Sequence, residues 1–267
     1  MSDRISFQNI VDHMIGAGVP YQANIPDNWR QGRTAYGGIT SGLALAATRD
    51  LYPDLPPLRS AQITFVGPVA EDPVIIPTKL RQGRNVTAIE THAKSGDDVS
   101  AICVLLFGAG RESHISVDLS SPDVSSPASY EPMLSGDAKA FAPVFFRNFD
   151  TRLIAGGLPI TGQKEGYIRT WCRHADETSR YGVASFLCIG DVLPPAAMPM
   201  FTRMGPISSM NWHINILVDD VVTQEGWWHI ETKQSAARNG YSSQIMRYWN
   251  TDGVLVAEAI QSVAIFV

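Results

Sequence analysis

The stretch Arg84 to Gly108, RNVTAIETHAKSGDDVSAICVLLFG, returns in outline at Arg238 to Val267, RNGYSSQIMRYWNTDGVLVAEAIQSVAIFV. Each copy is preceded, five positions before its arginine, by a Thr-Lys pair: Thr78-Lys79 in the first and Thr232-Lys233 in the second. After each Arg-Asn comes an extended run, then a turn rich in Gly and Asp, then a long apolar strand. One supersecondary unit used twice in a chain usually buries a face against its twin and builds a site between the copies. The similarity is weak residue by residue, so the spacing carries the inference of a duplicated half.

Working outward, four extended runs precede or include the first copy: Leu58 to Phe65, Val74 to Arg81, Val86 to Ala93 and Val99 to Phe107. Gly67-Pro68, Gly83 and Gly96-Asp97 mark the turns between them. Ahead of this meander lies Gly37-Gly38-Ile39-Thr40-Ser41-Gly42-Leu43-Ala44-Leu45-Ala46-Ala47, which reads as a helix ending near Asp50 before Pro53. Each glycine costs it about 1 kcal/mol of propensity against alanine, so close packing, read here as against a sheet, explains their presence. A shorter helix starts at a Ser6 cap and runs through Met14. The second half repeats the plan, with a helix over Gly182 to Leu193 that is apolar almost all round and therefore buried. Its strands are read at Val144 to Leu153, Gly166 to His174, Ser208 to Leu217, Trp227 to Ser235, Gly240 to Trp249 and Val254 to Val267. Helix followed by strand meander, twice, makes an α+β layer arrangement. The chain divides into an N-terminal unit (1–109), a Ser- and Pro-rich linker (110–138) and a C-terminal unit (139–267).

Bulk properties narrow the function. The chain has 267 residues, 45% hydrophobic and 18% charged, with a formal net charge of −5, an ordinary globular composition. Nothing in the charge points to a nucleic-acid partner or a membrane surface. Cys103, Cys172 and Cys188 are isolated and odd in number, which fits buried thiols in a reducing compartment. The first 18 residues lack the apolar core and cleavage site of a signal peptide, and no apolar run is long enough to span a bilayer. The expectation is a soluble, cytoplasmic protein, compatible with a homo-oligomer. No His/Cys cluster has metal-ligand spacing, and neither a phosphate-cradling Gly loop nor a Gly-x-Ser-x-Gly elbow is present.

Several motifs together resemble the acyl-CoA thioesterase II-like family, whose fold is a double hot-dog. They are Tyr36-Gly37-Gly38 at the helix start, Phe65-Val66-Gly67-Pro68, Leu80-Arg81-Gln82-Gly83-Arg84, and Asp252-Gly253-Val254-Leu255-Val256-Ala257 followed by Gln261. The resemblance covers nearly the whole chain except the linker and implies two antiparallel sheets, each wrapped around a central helix, that pack as one continuous layer. It also implies hydrolysis of an acyl-CoA thioester without metal or cofactor. A carboxylate on one strand, a hydroxyl on the next and a glutamine on the last would activate water. The amides at Tyr36, Gly37 and Gly38 would bind the substrate, because a helix N-terminus offers unpaired N–H groups and a positive dipole end to a developing oxyanion.

Carried onto this sequence, the glutamine falls on Gln261, the carboxylate position on Asn211 and the hydroxyl position on Lys233, with Thr232 beside it. Asn211 can orient a water but cannot take its proton at neutral pH. Strand alternation sets Thr232 with Trp228 and Ile230, and Lys233 with His229 and Glu231. His213 shares a face with Asn211 and Asn215 and is a substitute base, weighed against a simple hydrogen-bonded histidine. Ser60 and Leu105 are the first-half counterparts of Asn211 and Gln261, which places polar function in the second half. Two other functions compete. A non-catalytic acyl or acyl-CoA binding protein fits the amide at Asn211. A hot-dog dehydratase would need an Asp and His at a helix entrance, and neither helix start supplies them.

Overall fold

The computed structural model describes residues 4–117, 123–136 and 142–267. Ser120, Ser121, Pro122 and Asp137 of the expected linker lie outside the described residues. In chain order the elements are α1 (Phe7–Ala17), β1 (Tyr21–Gln22), β2 (Arg30–Gln31), β3 (Thr34–Ala35), α2 (Gly37–Leu51), β4 (Leu58–Phe65), β5 (Val74–Gln82), β6 (Thr87–Ser95) and β7 (Asp98–Phe107). There follow β8 (Phe149–Gly156), β9 (Tyr167–His174), α3 (Val183–Gly190), β10 (Ile207–Ile216), β11 (Trp228–Arg238), β12 (Tyr241–Trp249) and β13 (Leu255–Ile265). Ser6 caps α1 as expected, its side chain accepting from the Asn9 amide. Residues Val144–Asn148, expected to be extended, form a 3₁₀ turn that delivers the chain to β8. The second central helix ends at Gly190 rather than Leu193, ahead of Pro194-Pro195, which cannot extend it.

The two sheets implied by the resemblance, one from each half, are joined edge to edge. Eleven strands form one antiparallel sheet in the order β1-β5-β6-β7-β4-β10-β13-β12-β11-β9-β8. The run β5-β6-β7-β4 of the first half meets its reversed counterpart, β10-β13-β12-β11, of the second. The seam is β4 on β10, with Ile63 opposite Trp212 and Gln62 opposite His213. Pairing the two β4-type edges stitches both edge strands into one layer and removes two exposed backbone edges. His213 accordingly lies on the outer face, hydrogen-bonded through Nε2 to the Ser60 hydroxyl at 2.9 Å. It tethers the halves to each other.

The inner face of the sheet wraps α2 and α3. The expectation that the glycines of α2 press against the sheet is corrected, since they face the other helix. A Cβ at Gly38 would overlap the Cys188 carbonyl oxygen. A Cβ at Gly42 would lie 2.9 Å from the Ala184 carbonyl oxygen and 2.8 Å from the Phe7 ring. Moving up α2 from 38 to 42 moves down α3 from 188 to 184, so the two helices run antiparallel at a separation only glycine permits. Both are buried among apolar side chains from each half, including Ile39, Leu43, Phe186, Leu187, Trp212 and Tyr248. The carbonyls of the last turn of α3, which a helix leaves unpaired, are met from both halves. Tyr36 Oη donates to Cys188 O and Tyr248 Oη to Gly190 O, each at 2.9 Å. Tyr36 also stacks on Phe145 with ring centroids 4.1 Å apart. Among the described residues no helix is long and apolar enough to cross a membrane.

Gly42→Ala is expected to lower stability by about 1–3 kcal/mol through overpacking against Ala184 and Phe7. Gly16→Ala in α1 has open space around the new methyl and is expected to be neutral or to add up to about 1 kcal/mol. Denaturant unfolding of the two variants measures both. Equal stability of Gly42→Ala and wild type would contradict the helix contact.

Candidate active site

The antiparallel helix pair brings the end of α3 beside the start of α2. Asp191, the residue that closes α3, points a carboxylate oxygen to within 2.7 Å of where a Cβ of Gly37 would sit, next to the Phe65 ring. Tyr36 at the N-cap of α2 gives no side-chain hydrogen bond to the first-turn amides, so a helix N-terminus with unpaired N–H groups borders the carboxylate. Gln261 of β13 reaches the same spot. Its Nε2 donates to Asp191 Oδ1 at 2.8 Å and to Ser209 Oγ of β10 at 3.2 Å.

The orientation of the Gln261 amide is itself held. Gln244 of β12, directly opposite Gln261, donates from Nε2 to Gln261 Oε1 at 2.6 Å. The Gln244 oxygen in turn accepts from the Ala196 amide at 2.6 Å, in the loop after α3. With its oxygen committed to Gln244, Gln261 must present its nitrogen to Asp191 and Ser209. Gln261 is 2% exposed and Gln244 1%, so neither has water as an alternative partner. A carboxylate, a hydroxyl and an oriented amide thus converge beside a helix N-terminus.

Asp191 keeps a partly exposed edge, yet desolvation by burial pushes its carboxyl up to about 7, only partly offset by the hydrogen bond from Gln261. That is the range in which a carboxylate serves as a general base near neutral pH. Tyr36 and Tyr248, buried near this charge, have their hydroxyls pushed well above the usual range by desolvation first and by Asp191 second. They are neutral donors to the helix end.

Of the residues singled out from the sequence, Gln261 and Gly37 come together, while Asn211 and Lys233 do not. Trp212, not Asn211, lies opposite Gln261 across the ladder, and Asn211 is exposed on the outer face. Alternation from the buried Trp212, Ile214 and Ile216 already turns Asn211 outward, while a bulge between Ser209 and Asn211 resets the alternation and brings Ser209 to the helix side. Lys233 is likewise exposed, opposite the exposed Ile245, while Thr232 is fully buried with a hydroxyl that finds no partner among the described residues. Gly38 packs on α3, and Tyr36 belongs to the core. The sequence reading passed over Asp191, Ser209 and Gln244. Asp191 carried a legible signal: it is the one charged residue between Arg180 and Arg203, at the end of an otherwise apolar helix. Among the described residues no cluster of His, Cys, Asp and Glu could hold a metal ion.

The raised Asp191 carboxyl has a stability consequence. An unfolded aspartate ionises near pH 3.9, the folded one near 7, so between about pH 4 and 7 the native state binds the extra proton and stability falls as pH rises. Asp191→Asn keeps an acceptor for Gln261 but carries no charge. It is expected to melt several degrees above wild type at pH 8, at roughly 2–4 °C per kcal/mol for a chain of this size, and to lose most of that advantage at pH 4.5. Thermal melts at the two pH values check the sign, and a pH-independent difference would contradict it.

The architecture and sequence match known proteins. Residues 25–108 match the acyl-CoA thioesterase N-terminal domain and residues 123–265 the acyl-CoA thioesterase C-terminal domain. No curated protein matches the sequence. Among solved structures, a hot-dog protein of unknown function from Alicyclobacillus acidocaldarius superposes with a TM-score of 0.81 at 20% identity, covering 92% of each chain. A putative thioesterase II from Thermobifida fusca gives 0.80 at 14% identity over 100% of both chains. The acyl-CoA thioesterase II TesB2 from Mycobacterium marinum gives 0.73 at 16% identity over 97% of both. At these identities the structures establish a shared hot-dog fold, and the two domain matches, which together span most of the sequence, establish that the chain belongs to the acyl-CoA thioesterase family.

Proposed function

We propose that the protein hydrolyses an acyl-CoA thioester at the junction of α2 and α3. The observation that carries this reading is the single amide nitrogen of Gln261 bonded to both Asp191 and Ser209 beside the start of α2. The thioester carbonyl oxygen accepts hydrogen bonds from the first-turn amides at Gly37 and Gly38, which stabilise the charge that develops on it. A water held by the Ser209 hydroxyl attacks the carbonyl carbon as Asp191 takes its proton, while the Gln261 nitrogen fixes the positions of both groups. The tetrahedral intermediate collapses with cleavage of the carbon–sulfur bond. The departing thiolate recovers the proton from Asp191, so one water and one thioester give one acid and one thiol. In this reading the chain's own side chains and amides perform the chemistry. The substrate-binding role of Gly37 and Gly38 and the division into units 1–109 and 139–267 belong to the same reading, with α2 from the first unit and Asp191, Ser209 and Gln261 from the second.

The alternative, an acyl or acyl-CoA binding protein without activity, drew its support from the amide at Asn211. Asn211 lies on the far side of the sheet from Gln261, and Asp191 supplies a carboxylate. A hydrolysis assay over acyl-CoA esters of several chain lengths, with binding measured in parallel, separates the two readings. Wild type is expected to turn over at least one of them. Gln261→Ala is expected to lose on the order of 10²-fold as the group that positions Asp191 and Ser209 is removed. Asn211→Asp and Lys233→Ala are expected to change the rate by less than about 2-fold, within the small effects usual for surface substitutions. Binding without hydrolysis across the series would favour the binding protein. A large gain from Asn211→Asp would return the reaction to the outer face.

A further inference from the structure

The exposure of the residues around Asp191 gives the site a direction. Asp191, Gly37, Phe65 and Ser209 each keep a partly exposed surface. Ile63, Trp212 and Gln261, on the helix side of the sheet, are buried. They stand side by side, with Trp212 of β10 opposite Ile63 of β4 on one flank and Gln261 of β13 on the other. A coenzyme A thioester carries a large, charged substituent on its sulfur and an acyl chain on its carbonyl carbon. The charged substituent stays in water, because burying unpaired charge is costly, and so leaves past Phe65 and Ser209. The acyl chain then points the other way, toward Ile63, Trp212 and Gln261.

In that direction the space is filled. Trp212 is 0% exposed, and the tip of its ring lies 2.9 Å from where a Cβ of Gly190 would sit. The side chain thus reaches from the sheet to the last residue of α3, one position before Asp191. A step deeper along the sheet, the buried residues that flank Ile214 on the neighbouring strands are small, Ala61 on β4 and Ala259 on β13. A large ring beside a floor of methyl groups fills the volume that a chain entering past Gln261 would need. The walls to either side are occupied as well. Gln261 and Gln244 are committed to each other, to Asp191 and Ser209, and to the Ala196 amide. Toward the first half, Ile39 and Ile63 belong to the common core. A close-packed interior of this kind admits extra methylenes only by repacking.

We infer, on the hydrolytic reading above, that Trp212 closes the acyl end of the site and limits the substrate to short acyl groups, acetyl to butyryl in size. Trp212 supplies no proton and no charge to the reaction. It sets which acyl chain fits, and leaves the chemistry to Asp191, Ser209 and the start of α2.

The test is kcat/KM of the full-length protein on acetyl-, butyryl-, octanoyl- and palmitoyl-CoA. Wild type is expected to prefer butyryl over octanoyl by about 10-fold or more, the discrimination that a few methylenes give a shaped pocket. Trp212→Ala opens an apolar cavity beside Ala61 and Ala259, of the kind that takes up apolar ligands. It is expected to raise the octanoyl-to-butyryl ratio of kcat/KM by about 10-fold or more. Both substrates are measured on one preparation, so the ratio does not depend on the fraction of the variant that is active. If Trp212→Ala does not fold, Trp212→Leu keeps an apolar side chain in the core, stops short of Gly190 and is expected to move the ratio the same way by a smaller factor. Wild-type hydrolysis of octanoyl-CoA as fast as butyryl-CoA, or a ratio unchanged in the folded variant, would overturn the chain-length assignment and leave the hydrolase reading standing. Wild type that hydrolyses none of these esters would overturn the hydrolase reading and the assignment with it.

Discussion

The close contact of α2 with α3 is the constraint on which the rest of the molecule depends. Gly38 and Gly42 let the two helices approach until side-chain space disappears between them, with the carbonyls of Cys188 and Ala184 in the place of missing methyl groups. Antiparallel packing at that distance has a chemical result. It sets the electropositive start of one helix beside the residue that ends the other, and that residue is Asp191. The two tyrosine hydroxyls on the last carbonyls of α3, Tyr36 from the first half and Tyr248 from the second, hold the same helix end from both sides. Neither half could build the site alone. The first contributes a helix start, and the second contributes a carboxylate, a hydroxyl and an oriented amide.

The electrostatics follow from this placement. A carboxylate at a helix C-terminus, walled by apolar side chains, is a poor place for charge, and desolvation raises Asp191 accordingly. The neighbouring N-terminus of α2 and the Gln261 nitrogen keep the ionised form accessible. In the proposed reaction, the same arrangement that weakens the fold at high pH is the source of the base, a stability cost of the kind expected at functional sites. Gln244 contributes at one remove. By binding the Gln261 oxygen it decides which end of that amide faces Asp191 and Ser209.

Much of this was legible in the sequence because it rests on local pattern. The Gly-rich helix, the meander and the duplicated Thr-Lys and Arg-Asn spacing were read from periodicity and turn chemistry, and Gln261 after Asp252-Gly253 was singled out by the family resemblance. Three things did not, each for a physical reason. The resemblance implied one continuous layer, but which strands meet at the seam, β4 and β10, is a long-range pairing that no local signal encodes. The bulge at Ser209–Asn211 shifts alternation by one residue, so a strand read with perfect period two turns Ser209 away from the helices. Asp191 sits at the end of a helix, while the resemblance directed the search for a carboxylate to a strand. Thr232 and Lys233 show the converse case. There β11 is regular, and alternation alone assigns Thr232 to the interior and Lys233 to solvent.

The central claim is that Asp191 is the base and that burial sets its proton affinity. The pH dependence of kcat/KM on a hydrolysed acyl-CoA ester, measured from pH 5 to 9 on wild type, tests it most directly, because that ratio reports ionisation in the free enzyme. The account predicts a rate that climbs with pH and levels off above an inflection near 7, where Asp191 loses its proton. A rate independent of pH across this range, or one that falls as pH rises through 7, would contradict it.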